Sequence, residues 1–224
     1  MNCSKLCGHN NLEQFRFGEY KIMSRKIGTV CSAVNITAVI CFALSMLIGN
    51  NFISYFSSMF IALSFVPMMC AYAYFSEQKR KLAGYVSSAF AVMYSVIILL
   101  VYFAQVTTVR LDNLTQQTSE ILDFQQFGLF FSYDLLGYSL MALSTFFAGL
   151  TVKTETKKDR WLKGLLLIHG IFFFSCLIAP VLGIFEAGNE SWIGIALLEF
   201  WCVYFLPISI LSYLYFSKIR EINS

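Results

Sequence analysis

Six long apolar runs, separated by gaps that hold nearly all of the charge, leave this chain little choice of fold. The runs cover residues 27–48, 53–75, 83–106, 125–152, 162–185 and 192–216. Each reaches or exceeds the ~20 apolar residues that a helix needs to cross ~30 Å of hydrocarbon. The composition agrees, because 58% hydrophobic and only 13% charged residues in a chain of 224 is too sparing of charge for an ordinary soluble domain. The expected fold is all-α, an integral membrane bundle of six transmembrane helices. Residues 1–26 are read as a cytoplasmic N-terminal segment, 27–216 as the transmembrane domain and 217–224 as a cytoplasmic tail. That division leaves no room for a separate soluble catalytic domain.

The gaps also set the orientation. Lys5, Arg16, Lys21, Arg25 and Lys26 precede the first run, and Lys79, Arg80 and Lys81 lie between the second and third. Lys153, Lys157, Lys158, Arg160 and Lys163 lie between the fourth and fifth, and Lys218 and Arg220 follow the sixth. The other gaps hold Arg110 alone. An excess of lysine and arginine marks the cytoplasmic side, so both termini are expected inside, in the cell membrane. The net charge of +3 is this inside-facing excess, close to anionic lipid headgroups. It is not a nucleic-acid signature. The first run would serve as an uncleaved insertion signal.

The N-terminal segment mixes apolar and charged residues irregularly. It reads equally as a short interfacial helix or as an untidy tail. Cys3, Cys7 and His9 offer zinc-type donors, but no clear fourth ligand accompanies them, and no metal or cofactor is expected. All seven cysteines fall outside the outer gaps, so no disulfide framework is expected. Between spans three and four, Leu111, Leu114, Thr118, Ile121 and Leu122 recur near helical spacing. This outer gap is either a surface helix over the bundle mouth or an extension of its flanking spans. Aromatics such as Phe52, Tyr72, Tyr85, Trp161, Trp192 and Tyr215 sit at span ends, as membrane-interface anchors do.

Three strongly titratable residues lie well inside apolar runs: Asp134, His169 and Glu199. Charge in hydrocarbon is costly, so each needs a reason. Asp134 lies nineteen residues before Lys153, and Glu199 nineteen before Lys218. Both therefore stand about 28 Å above the inner boundary, at one level near the outer edge. Gln105, Tyr102 and Arg110, near the end of span three, reach a similar level or slightly above it. These positions suggest an outward-facing polar pocket of Asp134, Glu199, Gln105 and Tyr138, with Arg110 at its rim. The alternative is that the carboxylates simply reach water or pair with Arg110. His169 is about 9 Å above the inner boundary, too low for an acid–base pair with either carboxylate. It is expected to be a packing histidine, with Asn35 at a similar level as its partner. Pro67, Pro180 and Pro207 are expected to interrupt spans two, five and six.

Small residues mark two helix seams: Gly84, Ser88, Ala91 and Ser95 in span three, and Gly137, Ser144, Ala148 and Gly149 in span four. No hydrolase elbow, zinc-protease, pore or phosphate-loop motif is present. Asn113-Leu114-Thr115 and Asn189-Glu190-Ser191 are glycosylation sequons whose meaning depends on the host. The compact layout resembles that of small bacterial inner-membrane proteins, without a shared motif. Together these features favour a non-enzymatic membrane protein that binds or transports a small solute or cation at the outward-facing pocket. The alternative is a non-catalytic interaction module, such as a sensor, an immunity protein or a subunit of a membrane complex. Its small-residue faces would then hold a second copy or another membrane protein.

Overall fold

The computed structural model describes the backbone of residues 4–111, 113–184 and 191–219, with side chains from residue 18 onward, except 112 and 185–195. Among the described residues every regular element is helical. The helices are α1 (Ser4–Leu47), α2 (Asn51–Phe75), α3 (Lys81–Thr107), α4 (Gln116–Leu122), α5 (Leu129–Thr151), α6 (Lys157–His169), α7 (Phe172–Val181) and α8 (Ser191–Lys218). Five stretches are long and apolar enough to cross a membrane: Gly18–Leu47, Asn51–Phe75, Gln78–Leu111, Lys157–Val181 and Ala196–Lys218. α5 is long enough at 23 residues but is not among these five. Ser132, Asp134, Ser139, Ser144 and Thr145 lower its hydropathy. The packing explains why such a sequence is tolerated: more than half of α5 is buried against other helices.

The helices form a closed ring in chain order. α1 packs on α2, α2 on α3, α3 on α5, α5 on both α6 and α7, α6 on α8, and α8 returns to α1. α2 also touches α5 across the centre, where Phe65, Met68, Tyr94, Ile98, Met141 and Phe205 are fully buried. The small residues make these approaches close. A Cβ on Gly84 would stand 2.7 Å from the Ala73 Cα, and one on Gly137 would stand 2.9 Å from Ile98. Ala91, Ser95, Ser144 and Ala148 are likewise buried inside the ring.

Local chemistry sets the helix ends. At the α1–α2 turn, Gly49 adopts φ +71°. The Asn50 N–H reaches back to Ser45 O at 2.8 Å, a closing bond that needs a left-handed residue. The Asn50 side chain then caps α2 by accepting the Ile53 N–H at 3.1 Å. α6 starts on a capping box in which Asp159 Oδ2 accepts the Thr156 N–H at 2.7 Å and Thr156 Oγ1 accepts the Asp159 N–H at 3.3 Å. At the basic end, Lys81 Nζ donates to Ala73 O and Tyr74 O at the end of α2. Arg80 donates to Val152 O, and Lys218 reaches Glu155 and Asp159. The cations there bind helix-end carbonyls as well as carboxylates.

Several expectations change. The N-terminal segment and span one form one continuous helix, α1. The side chains of Cys3, Cys7 and His9 lie outside the described residues. Pro67 and Pro207 sit inside unbroken helices. Span five breaks ten residues before Pro180, at Gly170–Ile171, where Gly170 N–H, Ile171 N–H, Phe173 N–H and Phe174 N–H all bond three residues back. That tightening is a 3-10 turn inside a span. It coincides with close packing of Gly170 on Phe146, where a Cβ would meet the ring at 2.9 Å. Tyr72 is fully buried and donates to Ser212 Oγ at 2.7 Å, so it is a packing residue and not an interface anchor. The Trp192 side chain lies outside the described residues.

Candidate functional site

Asp134 falls on the inward face of α5, four residues before Tyr138 and therefore on the same stripe. It is 1% exposed. Around it stand Tyr94 and Tyr102 from α3 and Tyr138 from α5, each close enough to feel its charge. The Tyr102 hydroxyl is near both Ser58 and Asp134 but completes a hydrogen bond to neither. Asp134 Oδ1, Tyr102 Oη and Ser58 Oγ are thus buried with no hydrogen-bond partner among the described residues. Beyond Tyr138, whose ring meets Trp201 of α8 at 5.0 Å, the Trp201 indole N–H is in the same condition. Buried polar groups are nearly always paired. Asn35, for example, donates to Ile61 O and Ser64 Oγ and accepts from Ser209 Oγ. Several unpaired atoms collect near Asp134, and His169 Nε2 and Glu199 Oε1 are the others among the described residues.

The outer gap closes over this group. It is neither of the two expected forms alone. A short helix, α4, is capped by Thr115, and a 3-10 turn over Phe124–Gln126 follows it. Phe124 is buried, with its ring 5.8 Å from Tyr102, 5.9 Å from Tyr55 and 5.1 Å from Phe131. Gln105 holds it there: Nε2 donates to Leu122 O at 2.7 Å and Oε1 accepts the Phe124 N–H at 3.1 Å. The loop re-enters α5 through Phe127, a left-handed residue at φ 53°, and Gly128, where any Cβ would strike the Glu120 carbonyl.

The five residues proposed for the pocket thus have separate placements. Asp134 and Tyr138 share one cluster. Gln105 stands a turn beyond Tyr102 and spends its amide on the cap. Arg110 is exposed, with its guanidinium 5.1 Å from the centre of the Phe52 ring. Glu199 is half-buried and its Oε1 lacks a partner among the described residues. Glu199 and Trp201 are two residues apart, so they point about 200° apart on α8. Trp201 faces Tyr138, which turns Glu199 toward the flank of the helix. The expected opening is also absent at Asp134, whose side chain is fully covered in this conformation. Ser58, Tyr102 and Trp201 were not among the expected pocket residues. The signal available for Tyr102 was its helical spacing of three from Gln105, but hydroxyls and rings are too common in these spans to single it out.

A second polar centre lies lower. His169, at the end of α6, is fully buried. Its Nδ1 is 2.7 Å from Thr145 Oγ1, so its partner is Thr145 and not Asn35. Thr145 Oγ1 is also 2.9 Å from Ala142 O. One hydroxyl proton cannot serve two acceptors. With that proton on Ala142 O, His169 donates from Nδ1 and leaves Nε2 bare, and Nε2 has no partner among the described residues. The ring stacks 5.6 Å from Tyr204. Thr145 is eleven residues beyond Asp134, about 16 Å along α5, so the two centres do not meet.

No protein-family model, curated protein or solved structure matches the chain. What the fold defines is a class: an all-helical protein, among the described residues, with five helices long and apolar enough to cross a membrane. Within it is a buried carboxylate beneath a peptide cap.

Proposed function

We propose that this chain is a multi-pass protein of the cell membrane, with six transmembrane helices and both termini inside, that takes up a small solute or cation at Asp134. α5 would be the sixth span. Its 23 residues give about 35 Å at 1.5 Å each, and its polar side chains are shielded by neighbours. The orientation draws on the charge bias, with fifteen of the sixteen Lys and Arg residues in the N-terminal segment, the gaps after the second and fourth runs, and the C-terminal tail. A bacterial cytoplasmic membrane is the setting its layout resembles.

One observation carries the binding reading: the Asp134 Oδ1 atom, buried without a hydrogen-bond partner among the described residues, with Tyr102 and Ser58 hydroxyls in the same condition beside it. A buried carboxylate without a partner costs several kcal/mol. Such groups in a span usually serve a proton, ion or substrate path. The tyrosine rings offer faces that attract a cation, and the Gln105-held cap supplies a segment that can open. Glu199 joins the site only if α8 turns, so it is a secondary member.

The test is a thermal scan of the purified protein against alkali, alkaline-earth, ammonium and quaternary ammonium cations. At least one should raise the Tm of the wild-type protein by several degrees, as a ligand well above its Kd does. The same ligand should leave Asp134→Asn unmoved. A folded wild-type protein indifferent to the whole panel would turn the argument to the contact module. That second reading draws on α7, which has no buried residue and presents Phe174, Ile178 and Val181 outward.

A further inference from the structure

The basic end contains a cavity unconnected with Asp134. It measures about 310 Å³ and is lined by Lys21 of α1, Lys153 and Glu155 of the α5–α6 connection, Lys218 at the end of α8, and the rings of Phe75 and Tyr215. Ligand sites commonly begin near this size. Among the described residues its charge is unbalanced. Glu155 is shared, with Oε1 3.5 Å from Lys153 Nζ and Oε2 3.1 Å from Lys218 Nζ. Lys218 Nζ also lies 3.2 Å from Asp159 Oδ2. Lys21 has no carboxylate partner among the described residues. Three ammonium groups therefore face one lining carboxylate, and even with Asp159 counted the site keeps a positive surplus.

The walls differ in character from one side to the other. Lys153, Glu155 and Lys218 belong to helix ends and connections and Lys21 to the body of α1, while Phe75 and Tyr215 belong to the last turns of α2 and α8. A charged rim over an aromatic floor, at the level where the apolar spans end, matches an amphiphile with an anionic head. Basic pockets between helix ends on the cytoplasmic side are where phosphate-bearing headgroups bind. We infer that the cavity between Lys21, Lys153 and Lys218 is a binding site for a phosphate-bearing anion, held as the headgroup of an anionic phospholipid. This depends on the membrane-spanning reading of the helices and not on any role for Asp134.

The test titrates the full chain, in neutral detergent, with short-chain phosphatidylglycerol, short-chain phosphatidylcholine and inorganic phosphate, reading Tm. Phosphatidylglycerol should raise Tm saturably, and phosphatidylcholine should do far less. The double variant Lys21→Gln/Lys153→Gln removes two exposed side chains that cap no helix, so it should fold. It should weaken the phosphatidylglycerol response by at least about tenfold. Lys79→Gln removes a charge at the same end but outside the cavity, and should leave the response unchanged. Saturation by inorganic phosphate, lost in the double variant, would support the same site with a soluble phosphoryl ligand. A phosphatidylglycerol response intact in the double variant, or equally reduced by Lys79→Gln, would overturn the site. Membrane flotation of the expressed protein tests the membrane reading separately.

Discussion

Gln105 Oε1 accepts the Phe124 N–H at 3.1 Å, and through this bond α3 holds the loop whose Phe124 packs on Tyr102, the neighbour of Asp134. The same amide donates to Leu122 O. A single side chain therefore fastens both strands of backbone on either side of Asp123, and the Phe124 ring seals against Tyr102 and Tyr55.

Replacing Gln105 with Leu should loosen the cap while leaving the bundle folded. Two hydrogen bonds at about 1 kcal/mol net correspond to roughly tenfold or more in local opening. Hydrogen exchange at residues 122–128 should speed up by that order, with exchange in α2 and α3 unchanged. Equal exchange in variant and wild type would show that the cap is held by Phe124 packing alone.

Thr145→Val should cost more than its small change in shape suggests. It strands the His169 Nδ1 in a fully buried position, at about 1–2 kcal/mol. Adding His169→Phe removes the stranded group and keeps a ring against Tyr204, so the double variant should recover part of the loss. A double-mutant cycle on unfolding free energy measures this. Simple additivity would mean that the contact contributes nothing.

Gly84→Ala should destabilise the α2–α3 seam. The new Cβ would lie 2.7 Å from the Ala73 Cα, and a backbone atom cannot step aside as a flexible side chain can. The helices must separate, at roughly 1–3 kcal/mol. Gly164→Ala, where nothing lies within 4 Å, is the matched control and should be neutral or slightly stabilising through helix propensity. Thermal midpoints of the two variants decide the matter.

Acid should loosen the basic end. Lys218 beside Glu155, with Lys153 in support, holds the Glu155 carboxyl below its usual value. A carboxyl depressed in the folded state contributes its stability above the ordinary carboxylate range. It loses that contribution as pH falls through the lowered value. The group is largely exposed, so the effect is at most about 1 kcal/mol. Wild type should be slightly more stable than Glu155→Gln at neutral pH, and the difference should vanish in strong acid. A gap that persists there would assign the effect to packing.

That the apolar runs form helices, five of them long and apolar enough to cross a membrane, was legible because the cause is local to the chain. A backbone in hydrocarbon must satisfy its own hydrogen bonds, so a long apolar run has few alternatives to a helix. The helix ends at Gly49-Asn50 and Thr156-x-x-Asp159 have equally local causes, with their partners within a few residues. The break in span five was not readable. Pro180 advertised an interruption, but it falls one residue before the end of α7. The actual break at Gly170 answers to Phe146 on a different helix. His169 could be assigned to packing from depth alone, yet its partner depended on rotation, and rotation selected Thr145 over Asn35.

The same division runs through the candidate site. The sequence alone determined that Asp134 lies deep in an apolar run and so needs a reason, because the free energy of burying a carboxylate depends on depth along a helix. Only the tertiary structure decided what surrounds it. Helix rotation turned Tyr94, Tyr102 and Tyr138 toward Asp134 and Glu199 toward the flank, and the Gln105 amide brought Phe124 down as a cover. Those outcomes rest on contacts between residues far apart in the chain, and hydropathy along a single helix does not encode which way it faces.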